Sequence, residues 1–282
     1  MLRSLVVVLG ISTGFLLVAP SFAQMQQSQP EAAHLADLLD ITGLIDVMRI
    51  EGRENAVGVD SDLLGGQGGA AWLVTVDKVY DPVKLRASFE AGLAHELAGA
   101  PEVQADMARF FGSDLGKRIV QLEVTARRTL LDDTAEAATK ALWDKDFAQK
   151  SHRSQQIEAF AQINDLIESN VTGALNSNLA FFRGLSAGGA FEQPMPEDDM
   201  LAQVWSQEAA IRADTADWLY PFLMLAYKPL SNAELDQYIA FSRTKSGKKI
   251  NAAIFAAFDS MFVQLSAELG ASAARMMSGE DI

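Results

Sequence analysis

The chain has 282 residues, a formal net charge of −14 at pH 7 and no cysteine. The excess of acidic side chains repels phosphate groups, which excludes nucleic acid and anionic lipid surfaces as expected partners. The absence of cysteine excludes a disulfide framework, a cysteine nucleophile and lipid attachment through a thiol. Apolar residues make up 49% of the sequence, as in globular proteins whose core needs no cross-links.

Residues 1–23 have the three parts of a signal peptide. Arg3 supplies the positive charge, residues 5–18 form the apolar run, and a small-x-small cleavage site ends at Ala23. The apolar run is shorter than the roughly 20 residues that span a bilayer, and a polar stretch follows it. We therefore expect export to the periplasm, a mature chain that begins at Gln24, and no transmembrane span in that mature protein.

Hydrophobic periodicity predicts helices along nearly all of the remaining chain and no strand, so the predicted fold class is all-α. Apolar residues three or four positions apart form one stripe near the mature start and another near the end: Leu35, Leu38, Leu39, Leu44, Ile45 and Met48, then Ile254, Phe255, Phe258, Met261, Phe262, Leu265 and Leu269. Stripes of this kind are typical of amphipathic helices that pack against one another.

A helix boundary is predicted in "GAPEVQADM", where Pro101 occupies the first helical position. The short helix that starts there leads into "FFGSDLGKRI" at 110–119. Ser113 stands where a side-chain oxygen caps the next helix, and Gly116 falls within the first turn of that helix.

The same boundary recurs 131 residues later with a stronger start signal. In "PLSNAELDQY", Ser231 and Glu234 form a capping box, which predicts the start of a helix. That helix leads into "FSRTKSGKKI" at 241–250, where Thr244 and Gly247 repeat the Ser-x-x-Gly spacing of the first half.

The two decapeptides share Phe110/Phe241 and Gly116/Gly247 when they are aligned on their glycines. Glycine inside a helix costs about 1 kcal/mol relative to alanine, so its recurrence requires a compensating contact. We expect each glycine to let the first turn of its helix press against the phenylalanine that ends the preceding helix. We interpret the motif as a corner between two helices rather than as a ligand site.

The repeated decapeptide predicts an internal duplication into two similar helical units, residues 34–150 and 157–278. Looser matches support it: "ITGLIDVM" at 41–48 resembles "INDLIESN" at 163–170, and Trp72 pairs with Trp205. The pattern does not decide whether the two units form one domain or two.

Three segments together resemble a known family: "LLDITGLIDVM", "GGQGGAAWLVTVDKVYD" and "LSNAELDQYIAFSRTKSGKKIN". They are similar to exported bacterial proteins that carry the domain of unknown function 2059 (DUF2059). The first half departs from the family pattern because it lacks the serine cap of the second half. The resemblance implies an all-helical periplasmic protein with no assigned activity, and it supplies no catalytic residues.

Motifs for metal or nucleophilic chemistry are incomplete. "HELAG" starts like a zinc-protease signature at His95, but glycine stands where the second histidine is needed. Asp60 and Asp62 begin like a calcium loop, whose fifth and twelfth positions are Leu64 and Ala71 and provide no side-chain ligand. Gly-x-Ser-x-Gly occurs at 10–14, inside the predicted signal peptide, and at 184–188, where no predicted strand precedes the serine as a nucleophile elbow requires. The sequence thus predicts no catalytic residue, no metal and no cofactor.

The most apolar internal segment is "WLYPFLMLAY" at 218–227, which contains Pro221. A core helix bent at the proline is one interpretation, since ten residues are too few to span a membrane. The other is an apolar cleft between the two helical units. Its predicted walls are four aromatic side chains: Trp205, Trp218, Tyr220 and Tyr227.

Two functions remain open. The first hypothesis is a non-enzymatic periplasmic scaffold or binding protein that holds a peptide, another envelope protein or an apolar ligand. The second is an envelope hydrolase or lyase with an acid and tyrosine site that the sequence does not reveal. Acid, histidine and tyrosine side chains converging on one pocket would favour the second, and an apolar cleft would favour the first.

Export gives the first test. After expression with its native N-terminus, the protein should be recovered in the periplasmic fraction with the intact mass of a chain that begins at Gln24. Recovery of the uncleaved chain in the membrane fraction would contradict the signal-peptide prediction.

Overall fold

The computed structural model describes residues 31–191, 193 and 195–279. Every regular element in these ranges is a helix, which confirms the all-α prediction. The predicted signal peptide, residues 1–23, lies outside the described residues. The helices are α1 (31–38), α2 (Ile41–Leu63), α3 (Gly69–Val79), α4 (Pro82–Glu96), α5 (Pro101–Phe111), α6 (Asp114–Thr129), α7 (Asp133–Ala148), α8 (His152–Ile163), α9 (Leu166–Ala187), α10 (Glu197–Trp205), α11 (Glu208–Tyr227), α12 (Asn232–Arg243) and α13 (Lys245–Met277).

The long helix α13 lies at the centre of the fold and packs against α3, α4, α5, α9 and α12. It runs parallel to α9, because Asn176 bonds to Asp259 and Gly184 meets the turn around Ala267. Residues of the ranges 34–150 and 157–278 belong to one hydrophobic core. The two predicted units therefore share their interior and do not each enclose a core of their own.

Each repeated decapeptide forms the same corner. Ser113 Oγ accepts a hydrogen bond from Gly116 N at 3.1 Å, and Thr244 Oγ1 accepts one from Gly247 N at 2.9 Å. A Cβ atom on either glycine would lie 2.1 Å from the carbonyl oxygen of the phenylalanine that precedes the corner. Real Cβ atoms do not approach an oxygen so closely, so these two positions require glycine.

The two corners pack against each other. The rings of Phe110 and Phe241 stack with centroids 3.8 Å apart and an interplanar angle of 3°. Arg118 of the first corner donates to Glu234 Oε1 at 2.6 Å, and Lys249 of the second corner reaches Glu96 at 3.5 Å. Phe110 and Phe241 are equivalent positions of the two corners, whereas the two ion pairs are not, because the residue that corresponds to Glu234 is Val103 and not Glu96.

The capping box is present at the start of α12. Ser231 Oγ accepts from Glu234 N at 3.2 Å, and Glu234 Oε2 accepts from Ser231 N at 2.7 Å. Because Glu234 also pairs with Arg118, the cap links the start of α12 to the opposite corner.

The looser matches between the halves do not agree with the structure. Ile41 begins α2 whereas Ile163 ends α8, so the alignment of 41–48 with 163–170 pairs different parts of two helices. Trp72 is buried and donates to Ala56 O at 2.9 Å, whereas Trp205 is 63% exposed. These two tryptophans occupy unlike environments, and the internal duplication stays an inference that rests on the corners.

Helix α13 is long and apolar enough to cross a membrane by length and composition, alone among the described helices. Its most apolar 18-residue window has a mean hydropathy of 1.3, and 44% of that window is buried within the protein. The helix packs against α4 and α9, so its apolar side chains have protein neighbours in this fold.

The corner glycines give a stability prediction with an internal control. Gly247→Ala should destabilise the fold by about 1–3 kcal/mol, because the new methyl group is forced against the Phe241 carbonyl. Gly58→Ala, within α2, should instead stabilise by about 0.5–1 kcal/mol, since a Cβ there meets nothing within 4 Å. Urea midpoints with equal slopes measure both changes. If the two variants shift the midpoint in the same direction, close approach is not the reason for glycine at the corner.

Candidate functional site

A cavity of about 180 Å³ lies where α6, α11, α12 and α13 converge, with further walls from α2, α5, α8 and α9. Side chains from both predicted units line it, so the cavity lies at their junction. Most of the lining side chains are aliphatic or aromatic. A concave apolar space with few polar groups is the usual form of a small-molecule site.

Helices α6 and α13, which follow the two corners, line the cavity with corresponding residues. Val120, Glu123, Val124 and Arg127 of α6 stand 131 positions before Asn251, Ile254, Phe255 and Phe258 of α13, and all eight contribute to the lining. The same helix face therefore borders the cavity in each half. The correspondence also shows where the halves differ, because Glu123 corresponds to Ile254 and Arg127 corresponds to Phe258.

Aromatic rings cover much of the wall. Trp218 and Phe222, one turn apart on α11, stack with centroids 4.8 Å apart. Phe160 of α8 contacts the Tyr227 ring edge-to-face at 5.4 Å and the Tyr238 ring at 4.7 Å. Such ring contacts stabilise the orientations that the side chains have in the wall.

Glu123 brings a carboxyl group into this apolar wall. The Tyr227 hydroxyl donates to Glu123 Oε1 at 2.7 Å, and the Tyr238 hydroxyl interacts with the same carboxyl. Burial raises the pKa of Glu123 to about 7, although the two tyrosines act in the opposite direction. Burial also raises the pKa of both tyrosines well above 10, so both keep their protons. The carboxyl can therefore gain or lose a proton near neutral pH.

A second charged group at the cavity is already paired. Arg127 makes two hydrogen bonds to Glu51, from Nε to Oε1 at 3.0 Å and from Nη2 to Oε2 at 2.8 Å. Both side chains are largely buried. A two-point pair of this kind fixes the guanidinium and neutralises its charge locally. Because Arg127 is paired with Glu51, it does not neutralise Glu123. The Glu123 carboxyl therefore has no cationic partner among the described residues that line the cavity.

The predicted aromatic walls are only partly brought together. Trp218 and Tyr227 line the cavity. Tyr220 stacks on Trp143 of α7 at 4.9 Å and is not part of the lining, because successive residues of a helix point in different directions. Trp205 ends α10 with 63% of its surface exposed. Of the four aromatic side chains predicted to wall one cleft, two, Trp218 and Tyr227, line the cavity, and Tyr220 and Trp205 do not.

Pro221 lies inside α11 and is buried, so α11 continues through the proline as a helix of 20 residues.

Asp60, which begins the calcium-like motif, instead caps α3: it accepts hydrogen bonds from Gly68 N at 2.7 Å and Gly69 N at 3.0 Å. No group of three or more metal-ligating side chains occurs within residues 31–191, 193 and 195–279.

The sequence alone did not identify Glu123, Arg127 or Tyr238. Glu123 lies four residues after Ile119 and three after Val120, both of which are buried on α6. A carboxylate within an apolar stripe is a usable signal, because it breaks the helical period of the stripe. The corresponding position of the second half, 131 residues later, holds the apolar Ile254, which makes the carboxylate at position 123 more conspicuous.

No protein-family model matches the chain, and neither the curated proteins nor the solved structures compared with it give a significant match. The resemblance to the DUF2059 family stays a prediction. The site is therefore interpreted from its own geometry.

The raised pKa of Glu123 predicts how stability depends on pH. Between the ordinary carboxyl value of 4.5 and about 7, the folded protein binds more protons than the unfolded chain. Stability should therefore fall as pH rises through this window. Glu123→Gln removes this contribution, so from pH 4 to pH 8 the variant should gain up to about 3 kcal/mol relative to wild type, at 1.36 kcal/mol per pKa unit.

Urea midpoints across this pH range measure the effect. Glu268→Gln provides a matched control, since this side chain is 47% exposed and does not line the cavity. It should keep the wild-type profile. Parallel curves for wild type and Glu123→Gln would contradict the assignment of a raised pKa to Glu123.

Proposed function

We propose that this protein is a non-enzymatic periplasmic binding protein that holds a small, largely apolar ligand in the cavity between α6, α11, α12 and α13. The observation that carries the proposal is an aromatic cavity with one unpaired carboxyl group, Glu123, in its wall. Apolar surface gives such a site affinity, and a single polar group gives it orientation. The periplasmic location rests on the predicted signal peptide and on the resemblance to exported proteins.

The volume of the cavity limits the size of the ligand. Engineered apolar cavities of about 150 Å³ bind benzene. A space of about 180 Å³ therefore suits a substituted benzene ring or an aliphatic chain of comparable size. A peptide or a folded partner would need an open groove, so the geometry favours the small apolar ligand among the three classes that the sequence left open.

An enzyme is the second candidate, and Glu123 is the observation that favours it. A carboxyl group with a pKa of about 7 can act as a general acid or base near neutral pH. Tyr227 and Tyr238 could supply hydrogen bonds to a reacting oxygen. A hydrolase or lyase also needs a second catalytic group, and the cavity lining contains no histidine, serine or second unpaired carboxylate. Simple binding requires fewer groups and is the function that we favour.

Ligand binding is tested by filling the cavity. Toluene and p-cresol should each bind the wild-type protein with one-to-one stoichiometry in titration calorimetry. Val124→Phe, which places a ring in the cavity, should weaken both affinities at least about tenfold. Val74→Phe is the matched control, because Val74 lies on α3 with 53% of its surface exposed, and it should bind like wild type.

Circular dichroism and thermal melting should show that both variants are folded. If the wild type binds neither probe, or if folded Val124→Phe binds both with unchanged affinity, the cavity is not a ligand site. Chemical conversion of a bound ligand that Glu123→Gln abolishes would instead support the enzyme.

A further inference from the structure

The acceptor capacity of the Glu123 carboxyl is only partly used by the protein. An ionised carboxylate offers about four acceptor positions. Tyr227 donates one hydrogen bond at 2.7 Å, and the Tyr238 hydroxyl provides a second interaction. Both hydroxyls hold the carboxyl in place and favour its charged form. At least one acceptor position therefore remains for a donor on the ligand.

The charges around this carboxyl are unbalanced. Tyr227 and Tyr238 face it from α11 and α12 and stay neutral, because burial raises the pKa of both phenols. Arg127 lies one turn further along α6, where Glu51 of α2 holds it in a two-point pair. A bound cation would supply the missing positive charge, and an anion would add a second negative one.

The surrounding rings also favour a cation. Aromatic faces attract an ammonium group through the negative potential above the ring, and the attraction increases when the site excludes water. Tyr227, Tyr238 and Phe160 form a contiguous set of rings beside the carboxyl, and Trp218 belongs to the same lining. Tyr227 and Tyr238 turn their hydroxyl groups to the carboxyl, so the faces that can contact an ammonium group are those that border the cavity beside it. The net charge of −14 also attracts cations toward the protein.

We propose that the ligand is a hydrophobic amine: its ammonium group pairs with the Glu123 carboxylate, and its apolar body occupies the aromatic part of the cavity. This inference rests on the proposed binding function and specifies the chemical class of its ligand. A neutral alcohol would use the same hydrogen-bond acceptor without balancing the charge. An organic anion would be repelled by Glu123.

Three probes of similar shape separate these classes: 2-phenylethylamine, 2-phenylethanol and phenylacetate. At pH 8 the amine is protonated, because alkylamines have pKa values near that of lysine, about 10.4. Titration calorimetry on the mature protein should show the amine binding at least about tenfold more tightly than the alcohol, with phenylacetate weakest. The affinity for the amine should rise about tenfold from pH 5.5 to pH 8, and binding near pH 7 should release protons as Glu123 ionises.

A substitution at position 123 tests whether the Glu123 carboxyl causes the preference for the amine over the alcohol. Glu123→Gln should weaken amine binding at least about tenfold and change alcohol binding less than about twofold. Glu268→Gln, which removes an exposed carboxylate from outside the cavity, should behave as wild type and so controls for net charge.

The outcomes separate this inference from the proposed function. If the alcohol binds as tightly as the amine, or if Glu123→Gln keeps the preference for the amine, the ligand is not an amine and the apolar binding function stands. If phenylacetate binds best, the charge argument is wrong. If none of these probes binds wild type, and toluene and p-cresol also fail, both proposals are overturned.

Discussion

The close contact between α9 and α13 is the constraint on which the rest of the structure depends. A Cβ atom on Gly184 would lie 2.2 Å from Ala267 O, and one on Gly270 would lie 2.2 Å from Phe181 O. The two backbones therefore touch where glycines oppose them. Each helical glycine costs about 1 kcal/mol, and the dense contact of two helices at this distance offsets that cost.

The other half of α13 has the opposite character. Its first turns carry Ile254, Phe255 and Phe258, which line the cavity. The α9 side of α13 is in contact there too, since Asn251 donates to Asn164 O at 2.9 Å. The closest backbone contact thus lies at one end of α13, and the aromatic side chains that line the cavity lie toward the other.

The fold class and the local helix boundaries could be predicted from the sequence because they depend on neighbouring residues. The Ser231 capping box and the two Ser/Thr-x-x-Gly corners need only a few positions to be recognised, and the structure contains them. The α9–α13 pair could not be predicted, because it joins Gly184 to a turn more than 80 residues away, and glycine alone does not specify its partner.

The candidate site also depends on contacts between residues that are far apart in the sequence, and these could not be predicted. Tyr227 belongs to a conspicuous apolar segment, but its partner Glu123 is one of 37 acidic residues, and the two are 104 positions apart. Tyr220 belongs to the same segment but stacks on Trp143, and Trp205, which ends α10, is exposed. Side-chain direction on a helix changes by about 100° per residue, so composition cannot separate a ring that lines a cavity from one that packs behind it.

The two halves are alike at the corners and differ where the cavity lies. At the corners, Phe110 stacks on Phe241, and each glycine is required by the carbonyl of the phenylalanine in its own half. Three of the cavity positions have no such requirement. There Glu123, Arg127 and Tyr238 stand 131 positions from Ile254, Phe258 and Met107 of the other half.

Glu123, Arg127 and Tyr238 place polar atoms in one shared wall. Arg127 has an internal partner in Glu51, and Tyr238 has one in Glu123, which leaves the carboxyl as the group that the protein itself does not neutralise. A partly buried carboxylate without a cation costs stability, and an isoleucine, as at position 254, would not. The proposed amine ligand would supply the positive charge that this otherwise apolar wall lacks.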